Sequence, residues 1–416
     1  MGIFHLAQNG FGNGNSWESA ASIADLQAAL RGARSGDEVI VGFERDREDP
    51  VFWNDTRIEL TSGGVEGDPL RISFGFKGDD RTVVAPSRGA AWPFFRAIGR
   101  ASESQLAPDN GDGPFLEIEG PVSYLLISGP VFAGSGNKGF FRFSGPAREL
   151  AISHVHALHA GRVIECQDDS QISDLIVQNC SAFGLTRGFA RFEVLSNATF
   201  RDLHLDAAMT DGTGNSVLQI IKVDSGTNLR FERILMANAV NAIAAEERGS
   251  SYIQGDGLVL EEGTSNVQIH DCSAVNMGDG GFDLKTDGVQ LTGCSATGCK
   301  YGVRIWRQNR ANHIDRSQIT APQHRERNAS ACLWVGGYVR VTHSLLSATG
   351  GSVIRFGDGY DQGLNVVEMR GGAIELHPGS SLLGGEPGQL VLRDVLLDGK
   401  KFTGTARWDG SELFLN

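Results

Sequence analysis

The chain has 416 residues, of which 55 are glycine, 40% are hydrophobic and 21% are charged. This hydrophobic fraction is enough for a large core, and glycine at roughly one residue in eight is far below the one-third that a collagen repeat requires, so disorder and collagen are excluded. Because the net charge of −13 is spread without acidic or basic blocks, a general surface for nucleic acid or anionic membrane is excluded as well.

The first predicted element is an amphipathic helix over residues 22–33. Isoleucine and leucine recur there at helical spacing, and Ser22 precedes them as a suitable N-cap. A strand-like run follows over residues 36–41. We therefore expect an N-terminal cap over residues 1–45, in which the helix shields the edge of the β-structure that follows.

Short strand-like runs then recur along most of the chain, separated by glycine-rich turns. Most intervals between their starts are about 20–28 residues, which is too short for a propeller blade and is typical of a solenoid. The runs start near Leu116, Phe141, Ile164, Ala190, Leu218, Leu258, Phe282, Val303, Ala331, Ile354 and Ile374. The pattern predicts an all-β fold, a single right-handed parallel β-helix over residues 46–390 with side loops, and a C-terminal cap over 391–416.

The cysteines support the same interpretation. The phrase Cys-Ser-Ala returns at Cys180, Cys272 and Cys294, each time after a short apolar alternation. The six cysteines form no CxxC pair and no zinc-finger spacing, so a structural zinc site is not expected. We expect the three cysteines of these phrases to pack inside the coils as small hydrophobic residues.

Alternation along each strand fixes which side chains point outward once the apolar ones are placed inside. One predicted outward column includes Arg191, Asp283, Arg304, Cys332 and Arg355. A neighbouring column includes Glu193, Glu261, Lys285, Trp306 and Trp334. Since stacked strands lie about 4.8 Å apart, these columns predict a charged and aromatic strip; ordinary pairing of opposite charges between coils is the alternative.

An acidic polysaccharide is the expected partner of this strip. Residues 285–327 hold eight lysines and arginines against three acidic residues, which reverses the sign of the chain locally. Exposed tryptophans stack on sugar faces, although burial at coil corners is the alternative. The predicted substrate-binding residues are Arg191, Glu193, Trp306, Arg307, Trp334 and Arg355. We expect no nucleic-acid partner and no membrane span, and the oligomeric state stays open.

Eliminative cleavage of a uronate needs a base for a carbon-bound proton and a cation that neutralises the carboxylate. Lys285 is the predicted base, and Arg304 is predicted to clamp the carboxylate or return the proton. A calcium ion is the expected cofactor, because carboxylate oxygens are its preferred ligands. Its predicted ligands are Asp256, Glu261, Asp279 and Asp283, although turn chemistry alone also explains the Asp-Gly pairs at 256 and 279.

Two segments resemble known families. The helix followed by residues 36–41, together with Gly67-Asp68-Pro69-Leu70-Arg71-Ile72, is similar to the opening segment of the β-helix polysaccharide lyase family that contains alginate lyases and chondroitinase B. Gly281-Phe282-Asp283-Leu284-Lys285 resembles the segment that carries the lysine base in the calcium-dependent β-helix pectate lyases. The resemblance implies a polysaccharide lyase with Lys285 as base and Arg304, one coil further, as acid.

Other functions on the same scaffold stay open. A uronan C5-epimerase shares the first proton abstraction, but its Asp-Pro-His-Asp phrase is absent from the sequence. A glycoside hydrolase needs paired carboxylates, and the Asn-Thr-Asp and Gly-His-Gly phrases of pectin hydrolases are absent. A glycan-binding protein of the tailspike or adhesin kind needs no catalytic group. For any of them we expect a secreted or periplasmic protein whose signal peptide has been removed, because the first residues lack a signal pattern.

Overall fold

The computed structural model describes residues 2–7, 10–43, 51–53, 58–76, 94–96, 114–133, 139–166, 170–209, 217–241, 252–323 and 329–415. The described chain is built from strands, with one short helix near its start. The prediction of an all-β, right-handed parallel β-helix with an N-terminal helix is confirmed. The chain divides into two compact units, residues 1–203 and 204–416, and each is described by itself.

The first unit begins with a strand, a 3₁₀ turn over Ile23–Asp25 and the helix α1 (Leu26–Gly32). Its strands are β1 (Ile3–Ala7), β2 (Ala21–Ser22), β3 (Glu38–Phe43), β4 (Val51–Trp53), β5 (Ile58–Leu60), β6 (Leu70–Phe76), β7 (Phe94–Arg96), β8 (Leu116–Ile118), β9 (Val122–Ser128), β10 (Val131–Ala133), β11 (Phe141–Phe143), β12 (Ala147–Ser153), β13 (His156–Leu158), β14 (Arg162–Cys166), β15 (Gln171–Gln178), β16 (Ser181–Phe183) and β17 (Gly188–Asp206), which runs past its end.

Three parallel ladders form the walls of this unit. One passes through β3, β6, β9, β12 and β15, a second through β5, β8, β11 and β14, and a third through β4, β7, β10, β13 and β16. Each coil therefore contributes one strand to each wall, which is the arrangement of a parallel β-helix.

The helix α1 packs on the start of the first unit as predicted. The Ser22 hydroxyl accepts a hydrogen bond from the backbone N–H of Ala24, which caps the turn before the helix. Leu26 and Leu30 are buried, and the Gln27 side chain exchanges two hydrogen bonds with the backbone of Glu59 in β5. The helix thus satisfies backbone groups of an early coil that would otherwise be exposed to pairing with another chain.

The second unit contains longer strands at its start and shorter ones after them. They are β18 (Gln219–Ala237), β19 (Asp256–His270), β20 (Ser273–Val275), β21 (Gly280–Leu284), β22 (Asp287–Thr292), β23 (Ser295–Thr297), β24 (Tyr301–Ile305), β25 (His313–Asp315), β26 (Gln318–Thr320), β27 (Ala331–Val335), β28 (Tyr338–Thr342), β29 (Leu345–Ala348), β30 (Gly351–Phe356), β31 (Asn365–Arg370), β32 (Ala373–Leu376), β33 (Ser380–Gly385), β34 (Gly388–Leu397), β35 (Lys400–Trp408) and β36 (Leu413–Leu415).

One wall of the second unit carries the residues that matter below. We call it the site ladder; it consists of β19, β21, β24, β27, β30 and β33, paired in parallel in that order. Its inward residues stack in register and are at most 1% exposed: Leu258, Phe282, Val303, Leu333 and Ile354. Burying each such side chain stabilises the coil by about 1.5–3 kcal/mol, so this stack fixes which residues point outward.

The cysteines lie inside the coils. All six are buried and free, and those of the Cys-Ser-Ala phrases directly precede β16, β20 and β23. For the three cysteines of the Cys-Ser-Ala phrases, the prediction that they pack inside the coils is confirmed.

The end of the chain changes its pairing mode. β34 pairs in parallel with β31 and β32 but antiparallel with β35, which in turn pairs antiparallel with β36. The predicted boundary at residue 390 falls within β34, and that at residue 45 lies outside the described residues. Nowhere in the described ranges is a helix long and apolar enough to cross a membrane.

Candidate active site

The register of the site ladder places most of the predicted residues side by side. Trp334, however, lies in the column of Arg304 rather than in the neighbouring column where it was predicted. Asp283 pairs with Arg304, Arg304 with Trp334, and Trp334 with Arg355. The predicted place of Cys332 beside Arg304 is wrong; Cys332 is fully buried and Trp334 stands there instead. All five residues of β27 are apolar as well as buried, so alternation of apolar and polar residues could not show which of them point outward.

Three carboxylates converge at the start of β19 and β21. We call Asp256, Asp279 and Asp283 the acid cluster; their residues are 5%, 4% and 3% exposed. Asp256 Oδ1 accepts a hydrogen bond from the Gly280 backbone N–H at 2.7 Å. A Cβ on Gly280 would lie 3.2 Å from Asp256 Oδ1, 3.2 Å from Asp283 Cβ and 3.4 Å from Arg304 Cδ. The missing side chain at Gly280 therefore leaves between these groups a narrow gap, which is too tight for a methyl group unless a neighbour shifts.

Asp256 differs from the rest of the cluster because it has no cation of its own. Among the described residues it forms no ion pair, and burial together with Asp279 and Asp283 raises its pKa to about 8. Burial disfavours a charged carboxyl, and two neighbouring carboxylates disfavour it further. Asp256 is therefore protonated at neutral pH.

Asp283 is held in the opposite state. Its Oδ2 lies 2.9 Å from Lys285 Nζ, and its Oδ1 accepts a hydrogen bond of 2.6 Å from Trp306 Nε1 and lies 3.6 Å from Arg304 Nε. Burial acts to raise the pKa of Asp283, but Arg304 and Lys285 outweigh burial and hold that pKa below its ordinary value. Asp283 is ionised beside a neutral Asp256.

Lys285, the predicted base, is bound by two carboxylates. Its Nζ lies 2.9 Å from Asp283 Oδ2 and 3.0 Å from Glu261 Oε2. Burial acts against the charged form, but Asp283 and Glu261 outweigh it and raise the pKa of Lys285 above its ordinary value. A lysine kept protonated in this way does not suit proton abstraction.

The two carboxylate oxygens of Asp279 have different surroundings. Its Oδ2 accepts a hydrogen bond from Arg304 Nη1 at 2.8 Å and another from the Tyr252 hydroxyl. Its Oδ1 is buried and has no hydrogen-bond partner among the described residues, although Lys300 Nζ lies 3.6 Å away. A buried acceptor without a partner is rare and indicates a place for water or ligand.

Lys300 is a buried lysine that sequence reasoning did not place in the site. It is 1% exposed, and its Nζ lies 3.7 Å from the centre of the Tyr252 ring and 5.1 Å from that of Tyr301. Burial lowers its pKa, and the nearby Asp279 only partly offsets this. Lys300 lies directly before β24, as Asp279 lies directly before β21. This shared position is the sequence signal that indicates a place for Lys300 in the site.

The predicted calcium ligands do not fit a metal centre. Within the described ranges no three His, Cys, Asp or Glu side chains are arranged to hold a metal ion. Glu261 is bound to Lys285 at 3.0 Å and lies 3.8 Å from Lys222, while Asp279 and Asp283 bind Arg304 and Lys285. Cations of the protein therefore already contact three of the four predicted calcium ligands, all except Asp256.

Charges in and around the acid cluster nearly cancel. In the described part of the chain, its five carboxylates outnumber its four cations by one. They are Asp224, Asp256, Glu261, Asp279 and Asp283 against Lys222, Lys285, Lys300 and Arg304. With one proton on Asp256, the charges of these nine groups sum to zero.

Aromatic rings border the cluster on the β24 side. The Trp306 ring lies 4.2 Å from that of Trp334 and 5.2 Å from that of Tyr360, on which it stacks. Trp334 is 8% exposed, whereas Tyr360 is 47% exposed. The Arg304 guanidinium lies 4.6 Å from the Trp306 ring centre. Trp306 and Tyr360 thus offer a partly exposed aromatic surface next to the acids.

The basic segment is less positive than its composition indicates. Arg307 is bound to Asp361 at 3.0 Å and to Glu262 at 3.2 Å, and Arg316 is bound to Asp315 at 2.6 Å. Arg310 lies over the Tyr338 ring, while Arg325 and Arg327 lie outside the described residues. Local carboxylates therefore neutralise most of the predicted positive surface.

Two of the predicted binding residues belong to the first unit. Arg191 in β17 forms an ion pair with Glu193 and lies 4.0 Å from Glu165. Its register partner is Glu165, and that of Glu165 is Arg142. This is the alternating pairing of charges expected between coils, and the role of Arg191 and Glu193 in substrate binding stays a prediction.

Known proteins resemble this chain in structure rather than in sequence. No protein-family model and no curated protein sequence matches it. The catalytic unit of a thermostable GH87 α-1,3-glucanase from Streptomyces thermodiastaticus strain HF3-3 has a TM-score of 0.56 and 12% identity, over 94% of this chain and 68% of that one.

Two further structures are similar to this chain. The catalytic domain of a GH87 α-1,3-glucanase in complex with nigerose has a TM-score of 0.53 and 10% identity, over 91% of this chain and 66% of that one. The pectate lyase Pel9A has a TM-score of 0.49 and 11% identity, over 85% of this chain and 77% of that one. At such identities the likeness of this chain to the two glucanases establishes the fold alone.

Proposed function

We propose that the protein is a glycoside hydrolase that cleaves a polysaccharide, with Asp256 as the general acid and Asp279 as the general base. One observation carries this proposal: carboxyls from neighbouring coils meet around the gap at Gly280. Among the described residues, Asp256 forms no ion pair there and Asp279 Oδ1 accepts no hydrogen bond. A β-helix fold that hosts hydrolases of polysaccharides in other chains is compatible with it.

Hydrolysis needs a proton for the leaving oxygen and a base for the attacking water. The protonated Asp256 supplies the first, since its carboxyl keeps its proton at neutral pH. Asp279 Oδ1 accepts a proton from water as the water oxygen bonds to the anomeric carbon. When the glycosidic bond breaks, the Asp256 proton moves to the departing sugar, and exchange with solvent restores both groups.

The remaining charged groups hold this pair in place. Arg304 binds Asp279 and lies near Asp283, which orients the base. Asp283, ionised and buried, supplies negative charge beside the positive charge that develops on the sugar ring. Trp306 and Tyr360 provide a surface on which adjacent sugars stack.

Eliminative cleavage by a lyase is the second candidate. It is favoured by the contact of Lys285 and Arg304 with the same Asp283, on adjacent strands. The raised pKa of Lys285 opposes the role of base that we predicted for it. Lys300, whose pKa is lowered, suits that role better, and it lies against Asp279. A lyase would act on a uronate, while the hydrolase does not require one.

A panel of neutral and acidic polysaccharides tests the proposal, with two readouts for each polymer. We expect new reducing ends without new ultraviolet absorbance for at least one polymer. Asp256→Asn should lower the rate by about 10²–10⁴-fold. Asp398→Asn, on an exposed residue after β34, serves as the matched control and should keep the wild-type rate.

The other functions predict different results in the same experiment. New ultraviolet absorbance from an unsaturated end would establish the lyase instead. A change in sugar composition without cutting would indicate an epimerase, and binding without any product would indicate a glycan-binding protein. A secreted or periplasmic location remains a prediction for each of these.

A further inference from the structure

Arg355 is the one cation of the outward column on the site ladder that no carboxylate in the described residues neutralises. It follows Asp283, Arg304 and Trp334 in register, and it is half-buried. Arg304, by contrast, binds Asp279 and lies near Asp283. A guanidinium that lies on a wall of strands and has no neighbouring carboxylate can bind an anion.

The surroundings of Arg355 form a small cradle. Its register partner is Gly384 in β33. A Cβ on Gly384 would lie 2.8 Å from the Ser352 hydroxyl oxygen and 3.9 Å from Arg355 Nη1. Ser352 is 6% exposed and its hydroxyl lies 3.0 Å from that of Ser381. The absence of a side chain at Gly384 thus leaves room where a guanidinium and a hydroxyl both face.

We propose that Arg355, Ser352 and Gly384 form a subsite for the anionic group of an acidic glycan, a carboxylate or a sulfate. The guanidinium binds two oxygens of the anion side by side, and the Ser352 hydroxyl donates to one of them. The subsite deepens the function proposed above by naming an acidic substrate class, and it rests on that function.

The spacing of the ladder places this subsite away from the bond that is cut. Three strand steps separate Asp283 from Arg355, through Arg304 and Trp334. Each step is about 4.8 Å, close to the length of one pyranose ring in an extended glycan. A glycan that follows the ladder therefore carries its recognised charge about three sugars from the acid cluster. This subsite governs affinity rather than the chemical step.

Binding measured by calorimetry tests the subsite without cleavage. All proteins carry Asp256→Asn, which keeps the ligands intact. The probes are hexamers of galacturonate and of mannuronate, their carboxyl-reduced neutral forms, and a sulfated galactan hexamer. The variants are Arg355→Gln and Gly384→Ala, and Arg370→Gln, on an exposed residue of β31, is the matched control.

We expect at least one anionic hexamer to bind more tightly than its neutral form. Arg355→Gln should weaken that binding by about tenfold and remove the preference, while the neutral form is unaffected. Gly384→Ala should act in the same direction because its methyl group fills the cradle. The uronate and sulfate arms tell which anion is recognised, and Arg370→Gln should behave as the parent.

Three results would overturn the subsite: equal affinity for anionic and neutral hexamers, an unchanged preference in Arg355→Gln, or no binding of any hexamer. Failure of the hydrolase proposal is a separate result, because it is read from products of the wild-type protein. A charge preference that depends on Arg355, found in a protein that makes no reducing ends, would keep the subsite and refute the hydrolase.

Discussion

Asp256 is a carboxyl whose surroundings favour the neutral form. It is buried, it faces Asp279 and Asp283, and it forms no ion pair among the described residues. The general acid of a hydrolase needs these conditions, since a carboxyl in water has lost its proton at neutral pH. The Asp-Gly phrases allowed us to select Asp256 and Asp279 from the sequence, and the outward column added Asp283, but we assigned all three to calcium.

The pH dependence of cleavage follows from this residue. The folded-state pKa of Asp256 is raised to about 8, so the protonated, active form predominates below that pH and is lost above it. We expect kcat/KM to fall tenfold for each pH unit above a pH of about 8. Measurement of kcat/KM from acid to alkaline pH checks this. A rate that rises through this range would mean that the group must lose its proton to act, and Asp256 would then not be the acid.

The roles of the lysines were not predictable from residue types. Lys285 lies in a motif that resembles the one carrying a lysine base. Asp283 in the adjoining strand β21 and Glu261 in the preceding coil nevertheless hold it protonated, because they raise its pKa. Such contacts depend on side chains from different coils, which the sequence order alone does not bring together. Lys300 was hidden for the same reason, since its partners Tyr252 and Asp279 lie at least one coil before it.

At the level of elements, the ladder explains why the site lies where it does. Coil lengths and inward residues were predictable from the recurring apolar runs, and Leu258, Phe282 and Val303 stack in register as expected. The predicted register was wrong at β27. All five of its residues are apolar and buried, so alternation does not show which of them point outward. The outward neighbour of Arg304 is consequently Trp334 rather than Cys332.

The start of β21 supplies the gap on which the proposed chemistry depends. Gly280→Ala would place a methyl group 3.2 Å from Asp256 Oδ1 and from Asp283 Cβ. We expect at least a tenfold loss of kcat/KM with an unchanged circular dichroism spectrum, because the methyl group displaces the acid or the sugar oxygen. Gly32→Ala in α1 is the matched control, since nothing lies within 4 Å of its Cβ. Full activity in Gly280→Ala would contradict a reaction at this gap.

For the whole molecule, the distribution of charge matters more than its sum. The chain carries a net charge of −13, yet the acid cluster and its cations are close to neutral. The predicted basic segment is likewise neutralised, with Arg307 bound to Asp361 and Glu262. Composition predicted which charges are present, but their partners come from the three-dimensional arrangement.

This balance predicts that the protein does not depend on calcium. Lysine and arginine side chains bind Glu261, Asp279 and Asp283, three of the four residues predicted to hold Ca²⁺. We expect dialysis against EDTA to leave both the melting temperature and the cleavage rate unchanged, and added calcium to have no effect. Activity that is lost on chelation and restored by calcium would return the four carboxylates to their predicted role as ligands.

The fate of the solvent oxygen tests the hydrolase most directly. Cleavage in water enriched in oxygen-18, followed by mass spectrometry of the products, reports whether a water molecule enters the broken bond. We predict one labelled oxygen in each product with a new reducing end, and about a hundredfold less of this product, or even less, from Asp256→Asn. Unlabelled products lighter by one water, with an unsaturated sugar at one end, would contradict the hydrolase.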